Sequence, residues 1–100
     1  MELFQLSQAA KSDLRVIAQF TEKRWGKTQR NIYIKQLDDA FTLLGKNIEA
    51  RIDCDYIREG YRKFPHSSHV IYYKEGATSK IMIVRVLHKS MDVNSQHKKL

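Results

Sequence analysis

Arg58, Arg62, Lys63, Arg85, His88 and Lys89 are the residues of this chain best suited to chemistry. A guanidinium grips a phosphate or a carboxylate through paired N–H donors. An imidazole beside it can give or take a proton near neutral pH. If Arg62 and Arg85 share one face of a sheet, they make a cationic spot close to His88. Such a spot would hold a phosphate, or receive the carboxylates of an acidic protein tail. The ordinary alternative is a solvated charged face, since exposed charges contribute little.

Arg85 stands out because it interrupts the apolar run Lys80-Ile81-Met82-Ile83-Val84-Arg85-Val86-Leu87-His88-Lys89-Ser90-Met91-Asp92. A strand this apolar is covered on much of both faces, so it belongs inside a sheet. Desolvating a guanidinium is costly unless an anion meets it. Arg85 therefore pairs with a carboxylate of its own chain, or lifts its head to solvent on its methylene stem. The sharper reading has Arg85 and His88 opening onto a surface that meets a partner.

Other constellations are weaker. His66 and His69 flank a Pro-Ser turn, with Cys54 nearby in sequence. A closed zinc site needs four converging ligands, so no metal and no cofactor is expected. Asp53-Cys54-Asp55 reads as a solvated loop, and Cys54 has no evident base to make it a nucleophile. Trp25 is expected to pack under the sheet or over the hairpin turn, or else to anchor a partner segment.

The elements that position these residues follow from periodicity. Leu3-Phe4-Gln5-Leu6 suits a first strand, and Ser7 offers its hydroxyl as a helix cap. Ala10, Leu14, Ile17, Thr21 and Trp25 then recur along one helical face, and Gly26 ends that helix. Thr28 is a plausible cap for a second helix striped by Tyr33, Ile34, Leu37, Ala40, Phe41 and Leu44, with Gly45 as its stop. Residues 46–60 are mixed, and Asn47 to Tyr56 reads as loop, a short helical turn, or both. Strands are expected from Tyr61 to Phe64, from His69 to Tyr73 and over 80–88, with turns at Pro65–Ser68 and Glu75–Ser79. The fold class is α+β: an N-terminal strand and an antiparallel helical hairpin packed on a mostly antiparallel sheet.

At 100 residues the chain is one domain. A single cysteine excludes an internal disulfide framework, nothing resembles a signal peptide, and no apolar stretch approaches the roughly 20 residues that cross a bilayer. A cytoplasmic location without membrane association is expected. The net charge of +7 calls for an anionic partner, and most of the excess lies in residues 51–100, with ten Lys/Arg against five Asp/Glu. The strands and tail are thus the expected electrostatic face. A general nucleic-acid-binding module fits the charge but shows no recognition motif.

The run Leu6-Ser7-Gln8-Ala9-Ala10-Lys11-Ser12-Asp13-Leu14-Arg15-Val16-Ile17, followed by Arg24-Trp25-Gly26, resembles the first helix of ParE toxins of the RelE/ParE superfamily. Ile57-Arg58-Glu59-Gly60-Tyr61-Arg62-Lys63-Phe64 and His69-Val70-Ile71-Tyr72-Tyr73 resemble the central strands of that family. Val84-Arg85-Val86-Leu87-His88-Lys89-Ser90-Met91-Asp92 resembles its terminal signature. The resemblance covers residues 3–92, and departs in lacking a proline after the second helix.

It implies the toxin of a type II toxin–antitoxin system, a non-enzyme that poisons DNA gyrase and blocks replication. A ParD-type antitoxin with a disordered acidic tail would silence it, in a homodimer or a toxin–antitoxin hetero-oligomer. Arg85, His88, Lys89, Met91 and Asp92 are the expected gyrase contacts. Leu14, Ile17, Trp25, Arg58, Arg62 and Tyr72 are the expected antitoxin contacts. Residues 1–92 would form the toxin domain and 93–100 a basic flexible tail. The alternative within the superfamily is a RelE-type ribosome-dependent mRNA endonuclease using Arg62, Arg85 and His88. The run after the last strand argues against it: there is no tyrosine beyond Tyr73, and Asp92 would repel a phosphate.

Overall fold

The computed structural model describes residues 2–46, 52–53 and 60–91. The elements are β1 (Glu2–Leu6), α1 (Gln8–Trp25), α2 (Lys27–Lys46), β2 (Ile52–Asp53), β3 (Arg62–His66), β4 (His69–Glu75) and β5 (Ser79–His88), with a 3-10 turn at Lys89–Met91. One sheet carries them in the order β1-β5-β4-β3-β2. β1 runs parallel to β5, and the pairs β5-β4, β4-β3 and β3-β2 are antiparallel. The apolar β5 sits inside this sheet, as a run apolar on both faces requires.

Local chemistry sets the helix boundaries. The Ser7 hydroxyl accepts the Ala10 N–H at 3.0 Å and caps α1. Gly26 both ends α1 and opens α2. Its N–H donates to the Glu22 carbonyl at 2.8 Å, and its carbonyl accepts the Arg30 N–H at 3.0 Å. Its φ of 95° is open to glycine and strained for other residues. Thr28 therefore lies within α2 and does not cap it. Gly45 also lies within α2, which runs to Lys46. Its role is close packing: a Cβ there would sit 2.6 Å from the Leu3 carbonyl oxygen.

The core lies between the hairpin and one sheet face. Ala10, Ile17, Leu37, Ala40, Phe41 and Leu44 from the helices meet Ile71, Tyr73, Ile81, Ile83 and Val86 from β4 and β5. Each fully buried large side chain contributes about 1.5–3 kcal/mol. On the opposite face Tyr61, Val70 and Tyr72 cluster with Val84 and Leu87. Pairing along β4 and β5 shifts between Tyr72, opposite Arg85, and Tyr73, opposite Ile83. Val84 is the extra residue of this bulge. Strict alternation would point Ile83 and Val86 to opposite faces; the bulge resets the parity and both enter the helix-side core.

Among the described residues no helix is long and apolar enough to cross a membrane. The tail 93–100, the stretch Asn47 to Tyr56 apart from β2, and Cys54, Asp55, Arg58 and Asp92 lie outside the described residues.

Candidate functional site

Arg85 finds its anion within the chain. Its Nε and Nη2 donate to the two carboxylate oxygens of Asp13, at 2.8 and 2.9 Å. One of those oxygens also accepts the Val86 backbone N–H at 2.9 Å. The carboxylate is the first cause that raises the Arg85 pKa, so the guanidinium stays charged. Ser7 lies beside this tie, donating its backbone N–H to the Ile83 carbonyl at 3.0 Å and its hydroxyl to the Val84 carbonyl at 2.7 Å. The start of α1 is thus bonded to β5 just where β1 stops.

Three imidazoles form a row on the helix side of the sheet. Ser67-Ser68 is a two-residue turn, with Ser67 at φ 54°, so His66 and His69 face each other across β3 and β4. His88 of β5 pairs with His69 on its other side, with the two rings edge-on at 5.5 Å. The Tyr33 hydroxyl of α2 lies 2.7 Å from His69 Nδ1. Burial first, then the neighbouring His88 and His66, lower the His69 pKa to about 4, against a small opposing pull from Asp13. His69 is therefore neutral at pH 7, and Tyr33 donates to it. Burial likewise raises the Tyr33 pKa, partly offset by Ser67 and Ser68. His88 Nδ1 accepts the Ser90 N–H at 3.1 Å. Among the described residues no group of three or more His, Cys, Asp or Glu is placed to hold a metal ion.

Beyond Tyr33 the row opens into a cleft of about 480 Å³ at the hairpin corner, walled by Phe20 and Trp25, with Thr21, Gln29 and the Ser67–Ser68 turn. Phe20 is 63% and Trp25 64% exposed, and Val16, one turn earlier on α1, is 63% exposed. Trp25 is the end of the expected α1 stripe but points outward. Gly26 turns the chain away at that point, and no layer among the described residues covers the ring, contrary to the packing role expected of it.

The expected site residues fall into three groups. His88, Lys89 and Met91 are exposed together at the end of β5. Leu14 is half-buried against the core, while Ile17, 7% exposed, and Tyr72, fully buried, are core residues. That corrects the expectation that Ile17 and Tyr72 present surface to a partner. Arg62 does not join Arg85: it pairs with Tyr73, and Arg85 with Tyr72, successive residues on opposite faces. By the same alternation His88, opposite His69, faces away from Arg85. The supposed cationic spot with an adjacent imidazole is therefore not assembled. The histidine row and Phe20 escaped sequence reasoning. The two-residue spacing between His66 and His69 was the signal for the first pair.

A family profile described as "ParE toxin of type II toxin-antitoxin system, parDE" matches residues 4–93. The chain is 39% identical over 89 residues to "Toxin ParE1" of Mycobacterium tuberculosis (strain ATCC 25618 / H37Rv), covering 89% of this chain and 91% of that protein. It is 33% identical over 95 residues to "Toxin ParE1" of Caulobacter vibrioides, covering 95% and 97%. A solved structure titled "Chromosomal ParDE TA system from P. aeruginosa" superposes with a TM-score of 0.73 at 13% identity, over 88% of this chain and 96% of that one. At that identity the likeness shows the fold alone.

Proposed function

Because the chain belongs to the ParE toxin family, we propose that it poisons DNA gyrase by binding and is silenced by a ParD-type antitoxin. The observation that carries this reading is the Asp13–Arg85 tie. It makes Arg85 a fastener of β5 to α1, and His88, Lys89 and Met91 are exposed together at the end of that strand. Arg85 then acts on gyrase indirectly, by holding that end in place. Asp92, next in sequence after Met91, belongs to the same proposed contact set. The strand register parts Arg85 from His88 and from Arg62, which favours binding over phosphate cleavage at those three residues. A poison of this kind stabilises one state of its target by binding it better than the others.

For the antitoxin, the exposed Val16, Phe20 and Trp25 of α1 supply apolar anchors, with Leu14 half-buried against the core. The net charge of +7 suits an acidic segment that orders on binding. Toxin and target would meet in the cytoplasm.

The test is purified toxin with gyrase, ATP and plasmid. Loss of supercoiling, or cleaved plasmid, is expected. His88→Ala/Lys89→Ala/Met91→Ala should abolish it while the circular dichroism of the domain is unchanged. A folded wild-type toxin without effect on gyrase overturns the reading, and a triple variant of full potency overturns the assignment of the contact end.

A further inference from the structure

The hairpin corner combines two exposed aromatic rings with cations that pair with no carboxylate among the described residues. Lys23 and Arg24 precede Trp25, and Lys27 follows it within two residues. All three cations are exposed. The acid nearest to them in sequence, Glu22, is bound to Arg30, and Asp13 is taken by Arg85. The Arg24 guanidinium lies over the Trp25 ring at 5.4 Å, which steadies the ring and sets positive charge against it. The cleft beside it offers the faces of Phe20 and Trp25, the Gln29 amide and the hydroxyls of Thr21, Ser67 and Ser68. Its volume of about 480 Å³ lies in the range of small-ligand sites.

We propose that this corner binds single-stranded nucleic acid, with an unstacked base on Trp25 and Phe20 and the flanking phosphates on Lys23, Arg24 and Lys27. Exposed aromatics beside a cationic rim are what strand-binding sites use: every base has a π-face, and the backbone is an even line of negative charge. A duplex keeps its bases stacked on one another and offers the rings nothing to cover. The Gln29 amide and the hydroxyls of the exposed Ser67–Ser68 turn line the cleft beside the rings. A base edge carries both donors and acceptors and satisfies them. DNA and RNA strands share this chemistry. The inference goes beyond the gyrase reading and does not depend on it; on the free toxin a strand and the antitoxin would compete for Phe20 and Trp25.

Trp25 is the only tryptophan in the chain, so its emission reports on the corner directly. The free toxin is titrated in low salt with 12-mers of oligo(dT) and oligo(U), with a duplex of equal length, and with poly-glutamate. Saturable quenching by either strand, stronger than by the duplex, is expected. The logarithm of affinity should fall with the logarithm of salt at a slope of about −2, for three phosphates at roughly −0.7 each. Trp25→Ala, read by anisotropy of a labelled strand, should weaken binding about 5- to 150-fold. Lys23→Gln/Lys27→Gln should flatten the slope by about 1.4. These side chains are exposed, so the variants fold, as circular dichroism would verify. Any of four results overturns the proposal: neither strand binds, both variants bind like the wild type, the duplex binds as tightly as the strands, or poly-glutamate quenches Trp25 while the strands do not. None of these results bears on the gyrase assay.

Discussion

Replacing Asp13 with alanine removes one carboxylate and frees three donors at once: Arg85 Nε, Arg85 Nη2 and the Val86 N–H. A hydrogen bond to a charged group is worth about 1.5–3 kcal/mol net when water is kept out. The Arg85 side chain is 36% exposed, so water takes over part of what Asp13 supplied, and its two bonds together amount to about 1 kcal/mol. Val86 is buried, and an amide left without an acceptor there costs about 1–2 kcal/mol. Asp13→Ala should therefore cost about 2–3 kcal/mol, or roughly 10–20 °C in Tm for a domain of this size. Arg85→Ala should cost only about 1 kcal/mol, because Asp13 keeps its bond to the Val86 amide. The double variant should be barely worse than Asp13→Ala alone, since the pair interaction can be lost only once. Urea unfolding of the four proteins measures all of this. A loss below about 0.5 kcal/mol for Asp13→Ala, or full additivity, would show that the tie does not hold β5 to α1.

Acidification should weaken the fold through His69. The unfolded chain takes up a proton near pH 6.5 and the folded chain near pH 4, so in that window the unfolded state binds more protons and stability falls as pH falls. The ring is only half-buried, which limits the loss to about 1–2 kcal/mol. His69→Gln should flatten the dependence, and equal losses in wild type and variant between about pH 7 and about pH 4.5 would contradict it. Gly45→Ala should destabilise by about 1–3 kcal/mol, although alanine favours helix by about 1 kcal/mol, because its Cβ meets the Leu3 carbonyl; a rise in Tm would refute the packing role. Ser7→Ala should cost about 1–2 kcal/mol by thermal unfolding, since one hydroxyl both caps α1 and bonds the Val84 carbonyl; a neutral variant would mean that water serves both ends.

What could be read from the sequence was whatever depends on neighbours along the chain. The helical stripes, the Ser7 cap, the strands around 62–66, 69–75 and 79–88, and the pairing of Arg85 with a carboxylate of its own chain all have local signals. What escaped depends on register. Whether Arg62 and Arg85 share a face is decided by strand register, and an apolar run gives no sign of where a bulge falls; Arg85 and His88, three residues apart on one strand, face apart by alternation alone. The histidine row joins three strands, so only the pair flanking Ser67-Ser68 was within reach. Thr28 and Gly45 carried real helix-boundary signals. Gly26 had already taken the capping role from one, and close packing against Leu3 claimed the other. Trp25 continued a buried spacing past the point where anything remained to bury it.

The bonds from Ser7 and Asp13 to β5 also bear on how copies of this chain behave in a crowded solution. Beyond the end of β1, the rim of β5 would expose a ladder of free carbonyl and amide groups beside some of the most apolar side chains of the protein. Such a rim recruits strands from neighbouring molecules and seeds aggregation. Here the Ile83 and Val84 carbonyls and the Val86 amide are already bonded to the start of α1. The first two turns of one helix thus act as a guard rail. They let a chain place its most apolar strand one position in from the sheet's edge, beside a neighbour only five residues long, without inviting a foreign strand to extend it.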